Sequence, residues 1–236
     1  MKIIHTGKAS PQAIMQRDAQ LLASLHGEND PILHDYEWSS EAATYGYFID
    51  PYTFLRKDVV ERRGLVLAKR PTGGGIILHL CDLAFSFLLP ATHPAYSQNT
   101  LNNYSYVNNI VIEVLQQFLG EKKDLQLLSE EPQNFRERCR HFCLAKPTKY
   151  DVMLSGRKVG GAAQRRTKDG FLHQGSINIG SVPRDYLEDI IKDDNVIDAM
   201  TRNSCSLLGD NWTLHRLREA RTEIRQLLQE KRLLFP

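Results

Sequence analysis

Two hydrophobic periods run along this chain, and the switches between them mark its elements. Ser10-Pro11 is a cap followed by a first-turn proline, and Ile14, Leu21, Leu22 and Leu25 then form an apolar stripe that stops at Gly27, which predicts a first helix. A second helix is predicted from residues 97–100 to Gly120, with Leu101, Tyr104, Val107, Val111, Val114, Leu115 and Phe118 at spacings of three and four. A third follows Pro183 with Leu187, Ile190 and Ile191. A fourth runs from Thr213 through Leu217, Ala220, Ile224, Leu227 and Leu228, placed to cap the domain or to meet a partner. Between the helices, β-rich runs fall at 42–49, 65–69, 76–79, 83–89, 152–154, 158–164 and 171–179. Ser155-Gly156 and Lys168-Asp169-Gly170 supply tight turns between the last three, so adjacent hairpins and an antiparallel sheet are expected. The strands do not alternate regularly with helices, which points to an α+β fold rather than a doubly wound parallel one.

Composition narrows the picture. With 236 residues, 42% hydrophobic and 25% charged, the chain can bury a core without disulfides or metals, and no repeat or linker divides it, so a single domain over 1–236 is expected. The 30 basic and 28 acidic residues leave a net charge of +2, too even for a nucleic-acid or membrane footprint. The longest apolar stretch, 83–91, is broken by Ser86 and Pro90 and is about half the length that spans a bilayer. The first eight residues lack the apolar run of a secretion signal, which points to the cytoplasm and to reduced cysteines. Cys81, Cys139, Cys143 and Cys205 lack paired zinc spacings, although Cys139 and Cys143 flank His141; their simplest reading is as small buried apolar residues. His93, His215, Trp38 and Trp212 read as ordinary surface or packing residues, and the run 138–141 as a solvated basic face or a phosphate contact to a carrier protein.

Two segments carry chemistry. In the first, Arg70, Thr72, Gly73, Gly74, Gly75 and His79 lie in one short run, where consecutive glycines permit close backbone approach and an arginine can hold a carboxylate or phosphate. Alone it reads equally as a turn. In the second, Asp151 and Lys158 precede Gly160, Gly161, Ala162 and Ala163, then Gln164, Arg165 and Arg166; small residues weaken a strand unless something packs on its backbone. That something is a ligand or a crossing helix.

Taken together, Arg-x-Thr-Gly-Gly-Gly-x-x-x-His, then Gly-Arg-Lys-Val-x-Gly-x-Ala-Gln-Arg-Arg and Gly175-Ser176-Ile177, resemble the lipoate-protein ligase and octanoyltransferase family, with Tyr36-Glu37-Trp38 and residues 45–48 matching its opening strand pair. The resemblance implies a biotin/lipoate-ligase-like fold, a mixed and largely antiparallel sheet with flanking helices related to class II synthetase cores. It implies attachment of lipoyl or octanoyl groups to a lysine of lipoyl domains, with an acyl carrier protein or a separate accessory chain as further partners. The main expectation is a ligase that activates lipoate or octanoate with ATP and Mg2+. In that reading Lys158 spans the acyl carbonyl and the phosphate, one such donor being worth roughly 3 kcal/mol of barrier. Arg70, Thr72, the amides of Gly73 to Gly75, His79, Arg165, His173 and Gln174 hold acid or nucleotide, Asp151 holds the metal, and Gly160, Gly161 and Ala163 line the slot. Ile76, Leu78 and Val159 are expected along an acyl tunnel, where each buried methylene contributes about 0.8 kcal/mol.

Three departures bear on that reading. Leu80 follows His79 where ligases carry aspartate. Gln174, not histidine, precedes Gly175, with His173 one position earlier, and little chain remains after residue 200 for a ligase accessory domain. The alternative, implied by resemblance to a cysteine-dependent branch of the same family, is an ATP-independent transferase that carries the acyl group on Cys143, seven residues before Tyr150-Asp151. A third reading is a binding module without catalysis.

Overall fold

The computed structural model describes residues 1–120, 123–133 and 136–231. Its elements in chain order are β1 (Lys2–Ala9), α1 (Pro11–Ala23), β2 (Ile32–Trp38), β3 (Ala42–Tyr45), α2 (Lys57–Arg63), β4 (Val66–Lys69), β5 (Ile77–His79), β6 (Asp82–Pro90), α3 (Thr100–Leu119), β7 (Leu125–Leu127), β8 (Val152–Leu154), β9 (Arg157–Thr167), β10 (Gly170–Asn178), α4 (Arg184–Ile190), α5 (Asp194–Asn203) and α6 (Leu214–Glu230). Seven strands form one sheet in the order β1-β2-β6-β10-β9-β8-β7, and three form a second in the order β4-β3-β5. The large sheet is antiparallel except where β1 runs beside β2. This is the mixed, largely antiparallel α+β arrangement expected from the hairpin signals.

Local chemistry fixes the ends of the elements. The Ser10 side chain accepts from the Ala13 amide to open α1, Asn99 does the same for Leu101 at the start of α3, and Gly120 closes α3 with a left-handed φ of 66°. Strand β3 stops at Tyr45, short of the expected 42–49, because a side chain on Gly46 would lie 2.0 Å from the Gly74 carbonyl oxygen; the chain turns there against the glycine ribbon.

Every residue of β6 is buried, as expected for a central strand covered on both faces. One core lies between the large sheet, α3 and α6 and includes Phe85, Phe87, Val111, Leu115, Phe171, Ile177, Leu217 and Ile224. A second, with Leu55, Val60, Ile76, Phe142, Ile190 and Ile197, joins the small sheet to α2, α4 and α5. Helix α6 therefore caps the domain, and Arg221 on it donates to the main-chain oxygens of Leu80 and Asp82 at 2.8 Å. No helix among the described residues is long and apolar enough to cross a membrane.

Candidate active site

Where the two sheets face each other, a cavity of about 850 Å3 including its mouth is lined by residues of β5, β6, β9 and β10, by the glycine ribbon and by Cys143-Leu144. Its lining is largely apolar, with Met15, Tyr36, Ile77, Leu78, Val182 and Met200 among the contributors. Of the residues expected at the site, Arg70, Gly74, His79, Cys143, Lys158, Gly161, Ala163 and Gln174 line it together.

Lys158 and Asp151 meet at the back of this cavity. The Lys158 ammonium lies 2.7 Å from Asp151 Oδ2, and the residues are only 4% and 2% exposed. Thr148 donates to the same oxygen through its amide at 2.6 Å and its hydroxyl at 3.0 Å. Burial pushes the Asp151 carboxyl above its ordinary range, against the pull of Lys158 and Thr148. The pair exists because residue 161 is glycine: a Cβ there would sit 2.5 Å from Lys158 Cε and 2.6 Å from both Lys158 Nζ and Asp151 Oδ1. The small-residue strand thus makes room for a salt bridge. Asp151 is aimed by Tyr150, which adopts a left-handed φ of 67° and is held by Asn108, whose amide donates to the Tyr150 carbonyl at 2.7 Å.

The glycine ribbon presents its carbonyl oxygens rather than its amides to Arg70. The guanidinium donates to Gly73 O at 3.0 Å, to Gly75 O at 2.6 Å and to Thr44 Oγ1 at 2.9 Å. Gly75 also lets two segments touch, since a Cβ on it would lie 2.6 Å from the His141 carbonyl. Ile76 N donates to His141 O at 2.6 Å and Cys143 N to Ile76 O at 3.0 Å, so the ribbon pins the loop that bears Cys143. Burial pushes Arg70 below its ordinary value, and the neighbouring Cys143 sulfur is the largest influence opposing it. The half-buried thiol therefore has a fixed cation beside it.

Thr44 links Arg70 onward. Its hydroxyl lies 2.8 Å from His79 Nε2, and His79 Nδ1 lies 2.7 Å from Asp82 Oδ2, which also accepts from Ser176 at 2.7 Å. Burial would raise the Asp82 carboxyl, but His79 and Ser176 hold it below the usual range. A second chain runs through Gln174, whose amide donates to the buried Asp18 at 2.6 Å and whose oxygen accepts from Thr72 at 2.7 Å; Asp18 in turn meets His34 at 2.7 Å. Asp18, Thr44, Asp82 and Ser176 were not expected at the site. Asp18 had a legible signal, an acid lying within the apolar stripe of α1 four residues after Ile14.

Other expected residues lie elsewhere. His173 sits on the opposite face of β10 from Gln174, as strand alternation requires; its ring faces Phe85 and Tyr104, 6.2 and 5.8 Å between centroids, and it does not line the cavity. Arg165 is exposed and donates at 3.3 Å to Pro71 O. Val159 and Ile76 are buried in the cores rather than along the cavity, and Gly160 packs under the Ser176 carbonyl. The metal role given to Asp151 does not fit. Its charge is committed to Lys158 and Thr148, and no cluster of three metal-binding side chains occurs among the described residues. Trp212 packs over Gly180 and donates to Ser181 O at 2.9 Å, a packing role as expected; Trp38 lies tilted against His79, 4.5 Å between ring centroids, and lines the cavity as well.

Comparison with known proteins places this geometry. The lipoyl protein ligase A/B catalytic domain matches over residues 10–223. The chain belongs to that family. An octanoyltransferase LipM of Staphylococcus epidermidis is 30% identical over 192 residues, covering 80% of this chain and 69% of that protein, and the LipM of Bacillus subtilis is 27% identical over 207 residues, covering 86% and 74%. The chain spans 64 to 69% of the length of the octanoyltransferases from Staphylococcus epidermidis, Staphylococcus aureus and Anoxybacillus flavithermus. Among solved structures, a Thermoplasma acidophilum protein with bound lipoic acid aligns with a TM-score of 0.68 at 18% identity, over 98% of this chain and 93% of that one. Lipoate-protein ligase A bound with ATP aligns at 0.66 and 19%, over 98% and 93%. These establish the biotin/lipoate-ligase-like fold.

The comparisons correct the expectation of an ATP-dependent ligase. The curated relatives at 27 to 30% identity are octanoyltransferases, whereas the lipoate-protein ligases above are solved structures at 18 and 19% identity, a likeness that shows the fold.

Proposed function

We propose that this chain is an acyltransferase that takes an octanoyl group from a thioester donor onto Cys143 and passes it to a lysine of a lipoyl domain, without ATP. The observation that carries this reading is the placement of the Cys143 thiol beside Arg70 in an apolar cavity that Lys158 also lines. Attack of the sulfur on the donor carbonyl places negative charge on the carbonyl oxygen. The ammonium of Lys158 has three N–H donors, of which Asp151 engages one, so others are free for that oxyanion. The apolar lining supplies the affinity for the alkyl chain, and Arg70 neighbours the sulfur whenever it carries charge.

The test is single-turnover mass spectrometry with octanoyl-carrier protein and an apo lipoyl domain, ATP omitted. An octanoyl adduct on Cys143 that decays as the lysine is modified is the expected result. Cys143→Ser should show neither event. Lysine modification by Cys143→Ser at the wild-type rate would overturn the reading.

A further inference from the structure

Five buried side-chain polar atoms among the described residues have no hydrogen-bond partner: Trp38 Nε1, Arg70 Nε, Asp82 Oδ1, Gln164 Oε1 and His173 Nε2. The last two lie on neighbouring strands, where Gln164 Nε2 meets His173 Nδ1 at 2.8 Å, away from the cavity. The first three belong to residues that line the Cys143 cavity. An orphaned buried polar atom costs about 1–3 kcal/mol, so three around one cavity mark a place where a ligand completes the hydrogen bonding.

Trp38 and Asp82, with Tyr36, His79, Cys81 and Ala84, also line an open groove beneath the amino-terminal half of α6, whose other charged lining residues are Lys8, Glu37, Glu41, Arg218, Arg221 and Arg225. These six residues form the partition between the cavity that Cys143 lines and a surface open to a macromolecule, and among them Trp38 and Asp82 carry the orphaned atoms. One offers an unused donor and the other an unused acceptor. Asp82 is only 6% exposed, its other oxygen is satisfied by His79 and Ser176, and the Trp38 ring lies tilted against His79.

We propose that Asp82 and Trp38 receive the side-chain amine of the acceptor lysine as it enters from the groove beneath α6, with Asp82 Oδ1 holding the nitrogen that attacks the thioester. The inference rests on the transferase reading and adds to it the acceptor's route and the residue that selects an amine. A cationic ammonium is drawn to a buried carboxylate, whereas water or a hydroxyl gains little from it. In the transfer, the nitrogen bonds to the thioester carbonyl carbon and the carbon–sulfur bond breaks, leaving its electron pair on Cys143. Of the two protons that the ammonium loses, one returns to the sulfur and the other leaves to water through the groove.

The experiment separates the two halves of the reaction. Wild type, Asp82→Asn and Trp38→Phe are charged with an octanoyl thioester, and the acyl-enzyme is then discharged either to an apo lipoyl domain or to hydroxylamine, an amine that is uncharged at neutral pH. We expect Asp82→Asn to slow discharge to the lipoyl domain by about tenfold or more, the effect of losing one charged pair, and Trp38→Phe to slow it by about threefold. Discharge to hydroxylamine should stay within about twofold of wild type in both. Equal discharge rates to the lipoyl domain in all three proteins would overturn the proposal, as would an equal slowing toward both amines in both variants. Failure of the wild type to form any acyl-enzyme refutes the transferase reading instead, so the two failures are distinct.

Discussion

The ammonium of Lys158 and the carboxylate of Asp151 lie 2.7 Å apart with both side chains closed to solvent, and the bare Cα of Gly161 is what permits them to meet. A buried ion pair of this kind is costly to assemble and costlier to break on one side, since the surviving charge stays buried. Its retention in a largely apolar cavity is consistent with a role in the reaction more than in stability.

Gly161→Ala tests that relationship. The added carbon would collide with the Lys158 tip and with Asp151 Oδ1, and the lysine tip moves more easily than the strand. We expect acyl transfer to fall by about a hundredfold, the scale of losing one oxyanion donor, with a stability cost of only about 1–2 kcal/mol. Parallel measurement of turnover and urea unfolding checks this split.

Gly75→Ala meets main chain instead of a flexible tip. Its Cβ would lie 2.6 Å from both the carbon and the oxygen of the His141 carbonyl and 2.9 Å from the Phe142 nitrogen, so the Cys143 loop must lift from Ile76. The expected cost is about 1–3 kcal/mol of stability, together with slower formation of the Cys143 adduct. Adduct formation at the wild-type rate would show that the ribbon does not set the position of the nucleophile.

Asn108→Ala removes the donor that holds the left-handed Tyr150. Leaving that carbonyl without its partner should destabilise the fold by about 1–3 kcal/mol and reduce transfer, because Tyr150 aims Asp151 at Lys158. Thermal unfolding and the acyl-transfer rate read the two effects.

His173 predicts an acid slope. Burial pushes this imidazole down to about 3, while in the unfolded chain it titrates near 6.5. The folded state therefore refuses a proton that the unfolded state accepts. The stability is complete above about pH 6.5 and falls by about 1.4 kcal/mol per unit between there and pH 3 from this group alone. Chemical unfolding of wild type and His173→Phe between pH 7 and 5 should show a shallower slope in the variant.

Much of the architecture was legible in the chain because its punctuation is chemical. Ser10, Asn99 and the turn residues Ser155-Gly156 mark boundaries by hydrogen bonding and positive φ, and strand 152–154 emerged with its expected ends. Elements without an apolar period escaped notice. Strand β1 is an edge strand with half-exposed and exposed positions, and α2 has only seven residues, five of them charged around its Val59-Val60 core; β2 was marked only by Tyr36-Glu37-Trp38 at its end, since it also carries His34, whose partner Asp18 comes from α1. At the site, Lys158 and the glycines drew attention by their small-residue surroundings, and Cys143 through the family resemblance, by its spacing from Tyr150-Asp151. Residue type alone did not reveal that Asp151 would spend its charge on Lys158, or that Arg70 would serve carbonyl oxygens; these partners are close in sequence, across the β8–β9 hairpin and within the glycine ribbon, but the pairing depends on how the backbone turns between them. His173 and Gln174 could not both have faced one ligand, since successive strand residues point to opposite sides.

The bridge between Ile76 and Phe142 joins the strand layer that holds the ribbon to the loop that holds the thiol. The candidate site is consequently a seam between the two sheets, and neither layer by itself holds the thiol, Arg70 and Lys158 together. A change that parts the layers would separate the sulfur from both cations while leaving all three residues intact.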